Sequence, residues 1–198
     1  MVGRRSVRRY VAMPFVRGVV PYAGVATVLY GCFAVLGVAV GYKNATTSPL
    51  PVRTVPDGGF EAIQLSAFDL FVHNSIVCLQ LIGGVLTIGV ATVLILLLNG
   101  LALGSVLGEA STVLGPGVTA ALIVPHGLFE IPALLLATAL GFRWTHVLWK
   151  VASGKNRQIP IPRHLLHTVG WMILIGALLA VAAVIEADLT LQIARVVS

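Results

Sequence analysis

Long apolar stretches constrain this chain more than any other feature of its sequence. Residues 19–42, 70–98 and 165–185 contain no Lys, Arg, Asp or Glu, and much of 99–142 is apolar as well. A transmembrane helix needs about 20 predominantly apolar residues, and a bilayer accepts only structures that satisfy their own backbone hydrogen bonds. Of all residues, 58% are hydrophobic and 10% charged, whereas soluble domains average about 45–50% and 25%. The sequence therefore predicts an all-α integral membrane protein.

The distribution of basic residues predicts the topology. Residues 1–17 carry five arginines and residues 143–164 carry five basic residues, and neither segment contains an acid. Loops rich in Lys and Arg remain on the cytoplasmic side, so both segments are predicted to lie there. The chain must then cross the membrane five times, with a cytoplasmic N-terminus and an external C-terminus. The predicted crossing elements are residues 19–42, 70–98, 99–114, 118–142 and 165–185.

The chain is predicted to form a single transmembrane domain, residues 19–188. A basic cytoplasmic tail, 1–18, precedes this domain and a C-terminal tail, 189–198, follows it. Within the domain, residues 43–66 are predicted as an external loop and residues 143–164 as a basic cytoplasmic loop. The net charge of +6 is interpreted as topology signals and contacts with anionic lipid headgroups, so no nucleic-acid partner is predicted.

Glycine and proline predict breaks in several of these elements. Gly83-Gly84 interrupts the element 70–98, which is too long for a simple upright span, so part of it is predicted to tilt, kink or lie in the interface. Asn99-Gly100 is a helix-stop signal, so the Gly-rich element that follows it is predicted to be short enough to be re-entrant. Pro125 and Pro132 interrupt the next element, because proline lacks the amide donor that continues a helix. Residues 118–142 are therefore predicted to form a discontinuous helix packed inside the protein.

A second glycine pattern predicts close helix packing. Gly100, Gly104 and Gly108 recur every four residues, which places them on one face of a helix. Small residues at this spacing allow the backbones of two membrane helices to approach closely. Such a surface predicts self-association, as a homodimer or another homo-oligomer.

Several polar side chains interrupt the apolar sequence between Phe68 and Phe142. A charged side chain at the bilayer centre costs about 2.5–3.5 kcal/mol on insertion scales, so these residues are expected to face the protein interior. Asn74, Asn99, His126 and Glu130 are predicted to form a polar core, in which the two asparagines hydrogen-bond neighbouring helices. The full set is Asp69, His73, Asn74, Asn99, Glu109, His126 and Glu130.

His126 and Glu130 lie four residues apart and so share a helix face. This pair can lock the helix through a hydrogen bond, relay a proton or bind a metal, and a metal needs at least one further ligand. His126, Glu130 and His73 are the metal-ligand candidates, but nothing in the sequence brings them together. The chain lacks a His-Glu-x-x-His motif, a phosphate-binding loop and a dinucleotide fingerprint, so no catalytic residue, metal or cofactor is predicted.

Three motifs together resemble the stage II sporulation protein M family. They are His73-Asn74, Asn99-Gly100-x-x-x-Gly104-x-x-x-Gly108 and His126-Gly127-x-x-Glu130-x-Pro132-Ala133. The resemblance implies a polytopic membrane protein with five spans. It also implies a role like that of the family member in spore-forming bacteria, which anchors and recruits peptidoglycan-degrading proteins during membrane engulfment and is not itself a hydrolase.

The predicted function is that of a non-enzymatic scaffold in the cell membrane. Such a protein would self-associate, contact membrane lipids, and recruit or anchor cell-envelope or membrane-remodelling partners. One alternative is a transporter or permease subunit with a polar site at His126 and Glu130, because ionisable residues at membrane depth mark transport pathways. A second alternative is an intramembrane metal-dependent enzyme.

Overall fold

The computed structural model of the protein describes residues 18–47, 66–154 and 161–197, and for 161–163, 189–191 and 193–197 it describes only the backbone. In these ranges the chain forms five α-helices and a short 3-10 turn, Gly84–Thr87, that follows the second helix. The helices are α1 (Val20–Thr47), α2 (Ala67–Gly83), α3 (Val90–Leu114), α4 (Pro116–Ala152) and α5 (Ile161–Val197).

Five segments are long and apolar enough to cross a membrane. They are α1, α2 together with its 3-10 turn, α3, α4, and residues His164–Asp188 of α5. This finding confirms the prediction of an all-α membrane protein with five spans. Residues 1–17 of the predicted tail 1–18 and residues 48–65 of the predicted loop 43–66 lie outside the described residues. Residues 43–47, predicted as the start of that loop, are instead the last turn of α1.

The chain breaks between α2 and α3, not at Asn99-Gly100. Ile88 and Gly89 adopt left-handed backbone conformations, with φ of 56° and 84°, and the helix direction changes there. The Thr87 side chain holds this corner, since its hydroxyl donates to the Gly84 carbonyl and accepts from the amide of Ala91. Ordinary L-residues rarely adopt the left-handed conformation, so the isoleucine there gave no turn signal.

The helix stop predicted at Asn99-Gly100 is therefore wrong. The Asn99 side chain donates to the Ile95 carbonyl of its own helix at 2.8 Å, and α3, which is 25 residues long in all, continues through this position to Leu114. That length suffices for a full span, so the third element is not a short re-entrant segment.

The discontinuous helix predicted around Pro125 and Pro132 is also wrong, because α4 is one helix of 37 residues. Proline is tolerated in membrane helices where neighbouring elements support the backbone, and α4 packs against all four other helices. Residues 143–152, predicted as loop, are the last turns of α4. Most of the predicted C-terminal tail likewise continues α5.

Five glycines join α1 to α3 in what we call the glycine seam. Successive turns of α3 from Gly100 to Gly108 oppose successive turns of α1 from Tyr30 to Tyr42, so the two helices run parallel. A Cβ added to any of the five would come within 3 Å of the opposing helix. The seam consists of Gly37, Gly41, Gly100, Gly104 and Gly108.

The seam changes the basis of one prediction. The glycine face of α3 is occupied by a helix of the same chain, and all three of its glycines are buried. Self-association consequently stays a prediction, and these glycines no longer support it.

Of the two cysteines, Cys78 is buried, whereas Cys32 is exposed on the outer face of α1 and does not pack in the core.

A buried threonine closes the junction of α2, α3 and α4. The Thr92 hydroxyl donates to the Leu81 carbonyl at 2.9 Å, which satisfies an acceptor left over at the end of α2. Gly141 of α4 lies against the same two residues, because a Cβ there would lie 3.1 Å from the Thr92 hydroxyl. This contact fixes α4, which carries the site described next.

The start of α1 and the end of α4 lie at the same end of the bundle. The rings of Tyr22 and His146 pack edge to face with centroids 5.9 Å apart. This proximity agrees with the inference that the segments before α1 and after α4 share one side of the membrane. Lys43, near the end of α1, lies at the opposite end.

Candidate functional site

Three ionisable side chains meet where α4 faces α5. His126 and Glu130 project from the same face of α4, as their spacing predicts, and Glu186 of α5 joins them. One ligand atom from each residue lies within 4.8 Å of the corresponding atoms of the other two. All three side chains are half-buried. We call this group the His-Glu-Glu cluster.

The cluster lies within the membrane-spanning part of the chain. Glu186 lies near the end of the apolar segment His164–Asp188, and the other two residues lie further inside the span formed by α4. Ionisable side chains at such depth occur where they have partners or a wet cavity. The cluster meets the first condition through its three members, and it lies beside a cavity.

That cavity has a volume of about 280 Å³ and lies between α1, α3 and α4. Its polar lining consists of Tyr30, Asn99, His126 and Glu130. The remaining lining residues are apolar or glycine, among them Leu103 and Leu134. Two members of the cluster therefore border a cavity large enough for several water molecules or a small ligand.

The imidazole of His126 has an unused polar atom. Its Nδ1 is buried and has no hydrogen-bond partner among the residues that the structure describes. Buried polar atoms are nearly always satisfied, so an orphaned one calls for an explanation such as an ion or a water molecule. The nitrogen is thus available to a water molecule or an ion that reaches the imidazole.

The structure brings together three of the four residues of the predicted polar core. Asn99, His126 and Glu130 line the same cavity. Asn74 lies half-buried on α2 and is not among the cavity-lining residues. The side-chain amide of Asn99 donates to a carbonyl of its own helix. That amide therefore does not make the predicted hydrogen bond to a neighbouring helix.

The other predicted metal-ligand candidate and the two further acids do not join the cluster. His73 is exposed on α2, and Glu109 is half-buried on α3. Asp69 has a structural role: with Ser66 it forms a capping box, in which each side chain bonds the other residue's backbone amide. A capping box satisfies free donors at the start of a helix, which accounts for an acid at this position.

Sequence reasoning missed Glu186. The glutamate stands at the end of the last apolar stretch, where acids commonly mark a span boundary. The i to i+4 spacing reveals residues that share one helix, but no spacing pattern relates position 186 to position 126 or 130. The approach of α5 to α4 is a tertiary contact, and only the structure shows it.

The cluster can perform two kinds of chemistry. Two carboxylates and an imidazole can share and relay protons, or they can coordinate a cation. The residues that line the adjacent cavity include no Ser, Thr or Cys, so this cavity offers no hydroxyl or thiol nucleophile apart from the phenol of Tyr30. The arrangement is typical of a site that binds an ion or a proton.

Comparisons with known proteins agree with the motifs. The model of the family described as Stage II sporulation protein M matches residues 23–191, which include the whole cluster, all of α2, α3 and α4, and most of α1 and α5. An uncharacterized protein of Methanocaldococcus jannaschii is 28% identical over 133 residues, which covers 67% of this chain and 75% of that protein. No solved structure matches. The chain thus belongs to the Stage II sporulation protein M family of multi-pass membrane proteins.

Proposed function

We propose that this protein is a non-enzymatic membrane scaffold that recruits a membrane-remodelling or cell-envelope partner. Family membership supports this role through the anchoring function that the family resemblance implies. The structural observation that carries the proposal is an ordered surface at the end of the bundle where α4 ends and α5 begins. We call it the α4–α5 platform and define it as residues 143–152 and 164–168.

Side-chain hydrogen bonds fix the two halves of the platform to each other. The Arg143 guanidinium donates to Nδ1 of His164 at 3.0 Å, and the Trp144 indole donates to the Thr168 hydroxyl at 2.9 Å. The Trp144 and His164 rings also pack edge to face. A surface held by such bonds presents its outward residues in one arrangement, which lowers the entropic cost of binding a partner.

The outward residues of the platform suit an acidic partner. Trp149 is 62% exposed and stands beside the exposed Lys150. The sequence from 143 to 164 contains five basic residues and no acid. Aromatic residues such as tryptophan are enriched where proteins bind each other, and the charge of a lysine beside them guides the encounter with a partner of opposite charge. By the positive-inside rule the platform lies on the cytoplasmic side.

Charge reversal in the platform tests recruitment. We expect Lys150→Glu to lower the amount of a crosslinked partner recovered from native membranes by about tenfold or more. The reason is that the new carboxylate would face the acidic groups of the partner and repel them. The measurement is affinity purification of the tagged full-length protein after mild crosslinking, read by quantitative mass spectrometry. Lys43→Glu is the matched control, since it reverses an exposed lysine at the opposite end of the bundle.

Two results would contradict recruitment through this surface. One is an unchanged set of captured proteins, and unchanged binding to vesicles that contain anionic lipid, with Lys150→Glu at equal abundance. The other is an unchanged set of captured proteins together with weaker binding of the variant to those vesicles. The second result would make the platform a lipid contact, as aromatic and basic residues at membrane boundaries often are.

The His-Glu-Glu cluster and its cavity favour a second candidate function, that of a permease subunit. Ionisable residues at membrane depth beside a cavity occur in proton and substrate pathways. In that case proteoliposomes holding the purified protein should carry a proton or cation flux that Glu130→Gln abolishes. Glu109→Gln, a half-buried carboxylate outside the cluster, should leave the flux unchanged. Absence of flux from the wild-type protein would rule against this candidate.

A further inference from the structure

We propose that His126, Glu130 and Glu186 bind one divalent first-row transition metal ion, which links α4 to α5 within the membrane-spanning bundle. This inference goes beyond the scaffold role and does not depend on it. It rests on the geometry of the cluster, on its donor atoms, on its charge and on the orphaned nitrogen of His126.

The spacing of the donor atoms fits a common metal ion after a small adjustment. Ligand nitrogen and oxygen atoms lie about 2.0–2.2 Å from Zn²⁺, so two ligands of one tetrahedral ion are about 3.3–3.6 Å apart. The three donors of the cluster lie within 4.8 Å of one another. Side-chain movements of about 1 Å, which rotation about the side-chain torsions of the two glutamates can supply, would close the site.

The donor set selects a class of metal. One imidazole nitrogen and two carboxylate oxygens suit borderline ions such as Zn²⁺, Fe²⁺ and Mn²⁺. Ca²⁺ prefers six to eight oxygen ligands, and Mg²⁺ retains most of its water, so both fit a three-residue mixed site poorly. Soft ions prefer thiolates, and neither cysteine belongs to the cluster.

The adjacent carboxylates also suit a divalent cation. Glu130 and Glu186 lie next to each other in a half-buried setting, with apolar residues such as Ile131 and Leu134 near Glu130. Like charges repel more strongly where the dielectric constant is low, and a cation between them lowers that repulsion. The same cation would engage the imidazole of His126, in which one nitrogen has no partner among the described residues.

The cavity completes the coordination. Three protein ligands leave at least one position open on a four-coordinate ion. His126 and Glu130 border the cavity of about 280 Å³, so water or a small anion can reach the ion from that side. Asn99 and Tyr30, on the same lining, supply polar groups that can hold such a water molecule.

Zinc binding by the full-length protein tests the proposal. The tag-free protein in detergent would be stripped with a chelator and then titrated with Zn²⁺ against a fluorescent competitor. We expect one tightly bound Zn²⁺ per chain in the wild type. Zn²⁺ binding by Glu186→Gln should be at least about 100-fold weaker than binding by the wild type. Removing a residue that only hydrogen-bonds a metal ligand already lowers metal affinity by about 10–100-fold, and Glu186 is proposed as a ligand itself.

A matched variant separates the cluster from incidental binding. Glu109→Gln makes the same chemical change at a half-buried carboxylate on α3, outside the cluster, and should bind Zn²⁺ as the wild type does. Circular dichroism and size-exclusion chromatography would show that both variants are folded. If Glu186→Gln fails to fold, x-ray absorption of the zinc-loaded wild type replaces it, and we expect imidazole and oxygen ligands without sulfur.

Any of three results would overturn the proposal. They are wild-type affinity for Zn²⁺ weaker than about 10 μM, equal binding by Glu186→Gln and Glu109→Gln, and a sulfur ligand in the absorption spectrum. Zn²⁺ should also raise the melting temperature of the wild type, because a ligand that binds only the folded state stabilises it. No such rise is expected for Glu186→Gln.

Discussion

Gly104→Ala is expected to destabilise the protein by about 2–3 kcal/mol, at the upper end of the usual cost of overpacking. A Cβ at this position would strike the Ala34 carbonyl oxygen and lie 2.8 Å from both the Gly37 Cα and the Val38 amide nitrogen. All three are main-chain atoms, so no side-chain rotation can relieve the overlap. The helices α1 and α3 would have to separate, and the contacts along the whole glycine seam would weaken together.

Thermal or denaturant unfolding in a fixed detergent would measure this effect. Gly31→Ala on α1 is the matched control, because nothing lies within 4 Å of a Cβ added there. Its stability should stay within about 1 kcal/mol of the wild type, with a gain expected from the better helix propensity of alanine. Equal stabilities for the two variants would show that α1 and α3 do not pack through the seam.

The sequence predicted the existence of this seam but not its partner. A spacing of four residues places Gly100, Gly104 and Gly108 on one face, and small residues on one face predict a close contact between helices. The pattern is silent about which helix makes that contact. A second chain and another helix of the same chain present equivalent backbones, and here the partner is α1.

Helix boundaries were the least predictable part of the fold. The Asn99-Gly100 pair looks like a helix stop, but a glycine in a helix can also serve close packing, and that is its role here. The actual break begins at Gly83-Gly84, where an interruption is predicted, but its left-handed turn includes Ile88, a residue with no preference for that conformation. Thr92 and Gly141 make tertiary contacts at the break, and local propensity carries no record of those contacts.

Two of the three cluster residues were accessible to sequence reasoning. The i to i+4 spacing of His126 and Glu130 predicts a shared face, and the cost of ionisable groups in the membrane makes that face significant. Glu186 enters from a different helix, so its contribution depends on how α5 packs on α4. The same limit explains why Glu109 and Asp69, equally conspicuous in the sequence, proved to lie outside the cluster.

Hydropathy also fails to separate core residues from lipid-facing ones. Two leucines on α3 have the same hydropathy but are expected to differ in how much each contributes to stability. Leu96 is fully buried, whereas Leu98, two positions further on, is 64% exposed. We expect Leu96→Ala to destabilise the protein by about 1–3 kcal/mol and Leu98→Ala to leave its stability nearly unchanged. Parallel unfolding measurements on the two variants in one detergent or lipid would test both values.

The expected cost at Leu96 is smaller than in a soluble protein for a physical reason. A buried Leu→Ala change in water-soluble proteins costs about 2–5 kcal/mol, of which about 2 kcal/mol reflects the transfer of three carbon atoms from water. In a bilayer both states of the side chain remain in apolar surroundings, so that part largely disappears. What remains is the packing lost around the cavity that the substitution creates. Such a cavity forms at the buried Leu96 but not at the exposed Leu98. Equal effects of the two substitutions would mean that the α3 face carrying Leu96 does not pack against the rest of the bundle.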